Sequence, residues 1–177
     1  MNLWQDFKSV KAGTCYKWTH YFPIYEKHFA QWRNKTLTIF EIGVSNGGSV
    51  DLWNRYFGNM ATIVGVDINP HCKQFERDNI HIRIGSQSDL GFLTSLVKEF
   101  GQPDIVIDDG SHTMSDIIQT FNFMYHTSQR TASTLSKTCT PRIGKSTVVV
   151  WTKKTRSSTT ARTSLTHSMQ TTVAAPY

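Results

Sequence analysis

Residues 40–53 read FEIGVSNGGSVDLW, and this stretch decides the fold of the chain. A short apolar run leads into Glu41, three glycines follow within a few residues, and an amphipathic pattern then predicts a helix. Glycines let a backbone approach a ligand closely, and the first turn of a helix has amide groups without partners inside the helix. The stretch therefore predicts a strand, a ligand-binding turn and a helix in succession.

Four runs rich in β-branched residues have the composition of strands. They are separated by segments with helical periodicity. This alternation predicts an α/β fold with a Rossmann-like, doubly wound parallel sheet, in which ligands bind beyond the carboxyl ends of the strands. The predicted strands are 36–44, 61–68, 80–86 and 104–110, and the predicted helical segments are 48–58, 70–77, 89–100 and 114–126.

The charge divides the 177-residue chain into two unlike parts. Residues 1–126 contain 11 Lys and Arg and all 13 Asp and Glu, whereas residues 127–177 contain 8 basic residues and no acidic residue. The first part has the composition of an enzyme domain, and the second is rich in Ser and Thr, which is typical of disorder. We expect an N-terminal leader (1–15), a ligand-binding domain (16–126) and a basic tail that is disordered or non-native.

The cysteines and the apolar runs exclude several classes of protein. Cys15, Cys72 and Cys139 have no paired spacing, so neither a disulfide framework nor a zinc site is indicated. The first residues lack the apolar run of a signal peptide, and no apolar run approaches membrane-spanning length. We expect a soluble protein of a reducing compartment, the cytoplasm, with no membrane partner.

The residues around the glycine turn favour a cationic ligand that contains a nucleoside. Here the turn reads G-V-S-N-G-G-S after an acidic residue, whereas the dinucleotide fingerprint is G-x-G-x-x-G, and an acid is unfavourable beside a pyrophosphate. Asp67 ends the second predicted strand, where a carboxylate can accept both ribose hydroxyls. The SQSD run at 86–89 offers polar groups to a base. The candidate ligand contacts are Glu41, Gly43, Gly47, Ser49, Asp67 and Gln87; a glycine turn without a ligand is the alternative.

The run DIVIDDGSH, residues 104–112, ends the fourth predicted strand with two acids and a histidine. Successive strand residues point to opposite faces, so Asp108 and Asp109 cannot both face one ligand. One is expected to face the cofactor or the sheet, and the other to face outwards at the edge. We place Asp108 on the cofactor side, and His112 at the start of the next helix. Loop capping and a surface histidine are the structural alternatives.

These residues resemble motifs of the class I S-adenosylmethionine-dependent methyltransferases. Glu41 with Gly43 resembles their first motif, and Asp67 resembles their ribose-binding acid. The resemblance implies the methyltransferase form of the doubly wound sheet, with S-adenosylmethionine at the glycine turn.

A narrower resemblance is carried by IVIDDGSHTMSDIIQTF, by EIGVSNGGS and by an aromatic leader that ends in YEKHF. Over residues 16–126 the chain resembles the macrocin O-methyltransferase group, whose members are metal-dependent sugar O-methyltransferases of macrolide biosynthesis; cephalosporin-hydroxylase-like proteins are related to them. The resemblance implies that Asp109 is a Mg²⁺ ligand and that His112 is the general base. It also implies a small hydroxylated acceptor, such as a sugar or a glycosylated natural product, and a tendency to form homo-oligomers.

That assignment is chemically consistent. Methyl transfer from a sulfonium is an in-line displacement whose leaving group needs no proton, so the protein must align the acceptor oxygen and remove its proton. A divalent cation lowers the pKa of a bound hydroxyl, and an imidazole can take a proton near neutral pH.

The tail departs from the family pattern. In the family, a fifth strand carries an acidic pair that completes the metal site, but the tail contains no acid. We propose a reading-frame shift near residues 126–129. With suitable synonymous codons, QRTASTLSKTCTPRIGKSTVVVWT (129–152) can be re-read as ADGIYFIEDLHTAYWEEYGGGLD, in which the codons from Leu135 to Thr138 supply Ile-Glu-Asp.

A shift of frame would leave the sheet incomplete at its C-terminal side. We therefore expect the fourth strand to lie at an open edge, the chain to be unstable or prone to aggregate, and turnover to be weak or absent. The VVVW run at 148–151 is the one stretch of the tail that predicts a strand.

Two other function classes remain open from the sequence. The basic tail is consistent with a non-catalytic nucleic-acid-binding protein, whose affinity would depend strongly on salt. The same sheet order is also consistent with a nicotinamide-dependent oxidoreductase. The scattered charges of the tail argue against nucleic acid, and Glu41 with the absent G-x-G-x-x-G argues against NAD.

Overall fold

Six strands lie in the part of the chain that the structure, a computed structural model, describes: residues 2–9, 15, 17, 19, 21–129, 135–139 and 149–153. The strands are β1 (Leu37–Ile42), β2 (Ala61–Asp67), β3 (Ile80–Ile84), β4 (Ile105–Asp108), β5 (Leu135–Cys139) and β6 (Val149–Lys153). They form one sheet in the order β3-β2-β1-β4-β6-β5.

The helices of the described residues cover both faces of this sheet. They are α1 (Leu3–Lys8), α2 (Tyr21–Phe29), α3 (Gly48–Phe57), α4 (Leu90–Phe100) and α5 (Met114–Gln129), with short 3₁₀ helices at Ala30–Trp32 and Pro70–Phe75. None of the helices in the described ranges is long and apolar enough to cross a bilayer.

The first four strands confirm the predicted parallel sheet. β1 pairs in parallel with β2 on one side and with β4 on the other, and β2 pairs in parallel with β3. The helical segments predicted between these strands are also present, although the one at 70–77 is a 3₁₀ helix, Pro70–Phe75. The carboxyl ends of the four strands therefore meet at one edge of the sheet, and we call the loops that leave this edge the rim.

Alternation along β1 divides the core into two layers. Leu37 and Ile39 pack with side chains of α1, α2 and α3, and Phe40 and Ile42 pack with side chains of α4 and α5. All four are at most 3% exposed. The same alternation fixes the direction of polar residues in the strands: Glu41 must point towards α3, and Asp108 towards α5.

The expected open edge at β4 is corrected by the structure. β4 lies between β1 and β6, and β6 runs antiparallel to it, with Asp108 opposite Val149 and Ile105 opposite Thr152. β5 pairs antiparallel with β6. The backbone groups of an open strand edge pair readily with an extended segment, and the valines at 148–150 favour that conformation.

The tail expected to be disordered or non-native is therefore partly described as regular structure. α5 continues to Gln129, past the predicted boundary at 126, and β5 was not predicted as a strand. β6 overlaps the strand predicted at 148–151. The rest of the tail lies outside the described residues.

The turn after β1 and the loop after β4 approach each other closely. Asp109 N–H donates to the Ile42 carbonyl and Gly43 N–H donates to the Val66 carbonyl, each at 2.8 Å. Gly43 has a φ of +91°, and a Cβ built there would lie 2.3 Å from the Asp109 carbonyl oxygen. Only a glycine lets the two rim segments meet at this distance.

We expect Gly43→Ala to lower the free energy of unfolding by about 3 kcal/mol or more, because left-handed strain of ~1–3 kcal/mol adds to a backbone overlap. Gly101→Ala is the matched control, since Gly101 has a φ of +80° but no atom within 4 Å of its added Cβ. Urea unfolding measures both variants. If both variants lost the same free energy of unfolding, the contact between the two rim segments would contribute nothing to stability.

Candidate functional site

Asp67, at the end of β2, binds the backbone of the glycine turn. Its Oδ2 accepts hydrogen bonds from the N–H groups of Val44 and Ser45, at 2.9 and 3.0 Å, and its Oδ1 accepts from Asn69 N–H at 2.9 Å. Burial opposes the charged form, but these three bonds hold the pKa of Asp67 below its ordinary value. Asp67 thus lies at the predicted edge beside the turn, as an ionised carboxylate that also fixes the shape of the turn.

Glu41 lies beneath the turn rather than on the rim. It is fully buried, and its Oε1 accepts a hydrogen bond from Trp53 Nε1 at 2.9 Å, while its Oε2 has no hydrogen-bond partner among the described residues. Burial raises the pKa of Glu41 to about 7, although Lys17 and the Trp53 bond favour the charged form. Residue 41 of β1 faces α3, so Glu41 lies below the turn, and its direct contact with a ligand stays a prediction.

The two other predicted positions of the turn differ in exposure. Gly47, with a φ of +75°, is buried beneath Phe75: a Cβ added at Gly47 would lie 2.5 Å from the Phe75 ring. Ser49 is half-buried in the first turn of α3. The close approach that Gly47 permits is therefore made here by an aromatic side chain of the chain itself.

Asp108 and Gln87 form a buried network between β4, the loop after β3 and α5. Gln87 Nε2 donates to Asp108 Oδ2 at 3.0 Å and to Thr120 Oγ1 at 3.2 Å, while Gln87 Oε1 accepts from Ser111 N–H at 2.8 Å. Burial raises the pKa of Asp108 to about 6, against the lowering effect of the bonds from Gly110 and Gln87. Both predicted ligand contacts thus hold the DDGSH loop in place.

Asp109 lies at the rim, as predicted for the second acid of the pair. Its Oδ2 forms an ion pair with Lys17 Nζ at 2.6 Å, and its Oδ1 lies 4.0 Å from His112 Nε2. The side chains of Asp109 and His112 are 24% and 34% exposed. His112 has a φ of +57°, a left-handed conformation that costs a non-glycine residue on the order of 1–3 kcal/mol. The loop therefore holds the Asp109 carboxylate near the His112 imidazole at the edge, at the cost of backbone strain at His112.

A complete metal centre is not formed by these side chains. Within the described ranges, no group of three His, Cys, Asp or Glu side chains could hold a metal ion. Asp109 offers the oxygen that Mg²⁺ prefers, but its nearer oxygen is already paired with an ammonium group. The described residues alone do not fit a Mg²⁺ site.

Sequence reasoning missed two residues of the rim. Lys17 is 92 positions from Asp109 in the sequence, and no local pattern links them. Phe75 ends a 3₁₀ helix, and its contact with Gly47 also joins segments that are distant in the sequence. Thr120, by contrast, could have been found, because residues 117, 120 and 124 share the inward face of α5.

The arrangement can bind a ligand and remove a proton. The turn after β1 is hydrogen-bonded to the carboxylate of Asp67. The neighbouring loop after β4 carries the carboxylate of Asp109 and the imidazole of His112. An imidazole beside a carboxylate can accept a proton from an alcohol, and the carboxylate stabilises the imidazolium that results.

Comparison with known proteins identifies relatives of this chain. It is 41% identical over 102 residues to the 8-demethyl-8-(2-methoxy-α-L-rhamnosyl)-tetracenomycin-C 3′-O-methyltransferase of Streptomyces olivaceus, a match that covers 54% of this chain and 26% of the relative. It is 35% identical over 119 residues to the demethylmacrocin O-methyltransferase of Streptomyces fradiae, covering 62% and 30%. No protein-family model matches the chain.

The fold of this chain also matches the solved structure of a methyltransferase. The MycE methyltransferase from the mycinamycin biosynthetic pathway, in complex with Mg and SAH, superposes with a TM-score of 0.59 and 30% identity, over 70% of this chain and 32% of that one. The chain thus spans only between a quarter and a third of the length of the relatives that it matches. The homologues are sugar O-methyltransferases, and the described sheet is that of a class I methyltransferase.

The buried Glu41 predicts a pH dependence of stability. Its folded-state pKa of about 7 lies above the ordinary 4.5, so the folded protein holds a proton that the unfolded chain releases between these values. Stability from this group is therefore present below pH 4.5 and is lost as the pH rises through 7. We expect the free energy of unfolding to fall by about 2 kcal/mol between pH 5 and pH 8 from this group alone.

Glu41→Gln should reduce that fall while it keeps the acceptor for Trp53. Glu99→Gln is the control, because a hydrogen bond from Arg83 lowers the pKa of Glu99 and its titration acts below pH 4.5. Urea unfolding at pH 5, 6, 7 and 8 measures how steeply the free energy of unfolding changes with pH. A slope unchanged by Glu41→Gln would contradict the assignment.

Proposed function

Because this chain is homologous to the macrocin-type sugar O-methyltransferases and has the class I methyltransferase sheet, we propose that it binds S-adenosylmethionine at the rim. The activity of the lineage is methyl transfer to a hydroxyl of a sugar or a glycosylated natural product. The observation that carries the proposal is the convergence of the turn after β1, Asp67, Asp109 and His112 on one edge of the sheet.

The donor would lie over the turn after β1. Asp67, ionised and half-exposed, is placed to accept the ribose hydroxyls, and the turn that it braces would hold the methionine part. Glu41, buried and flanked by Lys17, would act on the sulfonium only through its charge beneath the turn. Phe75, which covers Gly47, would have to move aside or stack on the adenosine.

The acceptor hydroxyl would be deprotonated at His112. Its imidazole is one-third exposed at the rim and takes the proton, while Asp109, 4.0 Å away, stabilises the positive charge that forms. Bound S-adenosylmethionine would supply the methyl group for an in-line displacement by the deprotonated oxygen, with the sulfide as leaving group, so the residues of the rim would mainly need to align the acceptor with the donor.

Mg²⁺ is present in the MycE complex. For this chain we propose Asp109 as the one carboxylate of the described residues that belongs to such a site. The remaining oxygen ligands must come from elsewhere, so methyl transfer by the chain as it stands is expected to be weak or absent. We also propose a cytoplasmic location, as expected from the sequence, and assembly into homo-oligomers, as the resemblance implies.

Cofactor binding separates this proposal from the two alternative functions. Calorimetry with S-adenosylmethionine, NAD and a DNA oligomer, each at two salt concentrations, should give saturable binding of S-adenosylmethionine only. Asp67→Ala should weaken that binding about tenfold or more, which corresponds to ~1.4 kcal/mol from lost hydrogen bonds. Asp78→Asn, at an exposed position outside the rim, is the control. Binding of NAD without a response to S-adenosylmethionine would overturn the proposal.

We also retain the proposed frame shift as the origin of the tail. It accounts for the missing acids and for the excess of Thr, Ser and Arg, and the re-read segment supplies Ile-Glu-Asp where metal ligands are needed. The relatives match between 102 and 126 residues, a length comparable to segment 16–126.

Sequencing the gene across codons 120–155 tests the frame shift. The third bases of the codons from Gln129 onwards should be those that encode ADGIYFIEDLHTAYWEEYGGGLD in the shifted frame. Third bases that do not spell this segment would refute the shift, without any consequence for the cofactor site.

A further inference from the structure

Lys17 is the most buried basic side chain among the ion pairs of the described residues. Its side chain is 4% exposed, whereas the basic partner in every other ion pair described is between 25% and 51% exposed. Its Nζ lies 2.6 Å from Asp109 Oδ2. An ammonium group loses several kcal/mol of hydration when it is buried, so it stays there only where negative charge compensates it.

The negative charge of Asp109 compensates the buried ammonium of Lys17 by direct contact. Burial by itself would lower the pKa of Lys17, but Tyr25, Asp109 and Glu41 together raise it well above its ordinary value. Glu41 is fully buried with its Oε2 unpartnered, and Tyr25 is 1% exposed with its hydroxyl unpartnered. Asp109 is thus the contact that keeps the ammonium in place, and a carboxylate oxygen is also the kind of ligand that a divalent cation prefers.

We propose that the ammonium group of Lys17 occupies the place of a divalent metal ion at Asp109. Lys17 and a metal ion therefore cannot contact this carboxylate at the same time. Mg²⁺ binds a carboxylate oxygen at about 2.1 Å, so the same oxygen cannot also hold an ammonium at hydrogen-bond distance without strong repulsion between the cations. The inference rests on the proposed place of Asp109 at the metal-binding rim, but it needs no methyl transfer.

Lys17 would then control metal binding at Asp109. While its Nζ is held against Asp109 Oδ2, this carboxylate is neutralised and closed to a divalent ion. Once a metal ion takes Asp109, the lysine must leave. Lys17 thus accounts for one part of the misfit between the described residues and a Mg²⁺ centre, because it holds the carboxylate of Asp109.

Metal affinity of Lys17 variants tests the proposal. Lys17→Met removes the charge and keeps most of the volume, so Mn²⁺ should bind this variant at least about tenfold more tightly than the unaltered chain in calorimetry. Lys17→Arg keeps the cation and should bind as weakly as the unaltered chain. Lys17→Met combined with Asp109→Asn should lose the gain.

Thermal unfolding in chelator and in excess Mg²⁺ gives a second reading. Lys17→Met should unfold at a lower temperature in chelator and recover part of the loss with Mg²⁺, while the unaltered chain should not respond. If Lys17→Met is unfolded in chelator, the proposal requires Mn²⁺ to restore its far-ultraviolet circular dichroism, and a failure to do so overturns it.

Three further results would overturn the proposal. They are equal Mn²⁺ affinity of the unaltered chain and Lys17→Met, absence of Mn²⁺ binding to both, or a gain that survives Asp109→Asn. Binding of S-adenosylmethionine, measured separately in chelator, distinguishes these outcomes from a failure of the proposed function.

Discussion

The rim depends on the close contact between the turn after β1 and the loop after β4. Gly43 meets the Asp109 backbone at a distance that no side chain would permit. Two short hydrogen bonds, from Asp109 N–H and from Gly43 N–H, tie the ends of β4, β1 and β2 together. Asp67 adds its bonds to the turn, and the side chain of Gln87 holds Asp108 and Ser111, so backbone contacts and this buried network together set the positions of Asp109 and His112.

Much of this could be predicted from sequence because it is local. The composition of each strand and the periodicity of each helix gave the sheet, and the opposite directions of Asp108 and Asp109 followed from strand geometry. The same rule, applied to β1, would have shown that Glu41 faces α3. The contacts that could not be predicted join distant segments: Lys17 with Asp109, Phe75 with Gly47, and β6 with β4.

Two features of the rim, the carboxylate of Asp109 and the edge of β4, have partners within this chain. The relatives are three to four times the length of the part they share with this chain, and MycE is solved with Mg. In the described residues the negative charge of Asp109 is met by Lys17, and the edge of β4 is met by β6. Both the carboxylate and the strand edge are thus paired with groups of the same chain, although the described residues contain no complete metal site.

The most direct test of the account is a crystal structure of the protein grown with S-adenosylhomocysteine. The account predicts that the ligand lies over the turn after β1, with its ribose hydroxyls on Asp67 and its sulfur facing Asp109 and His112. A ligand bound away from the carboxyl edge of the sheet, or a loop in which Asp109 and His112 both face away from the ligand, would contradict it.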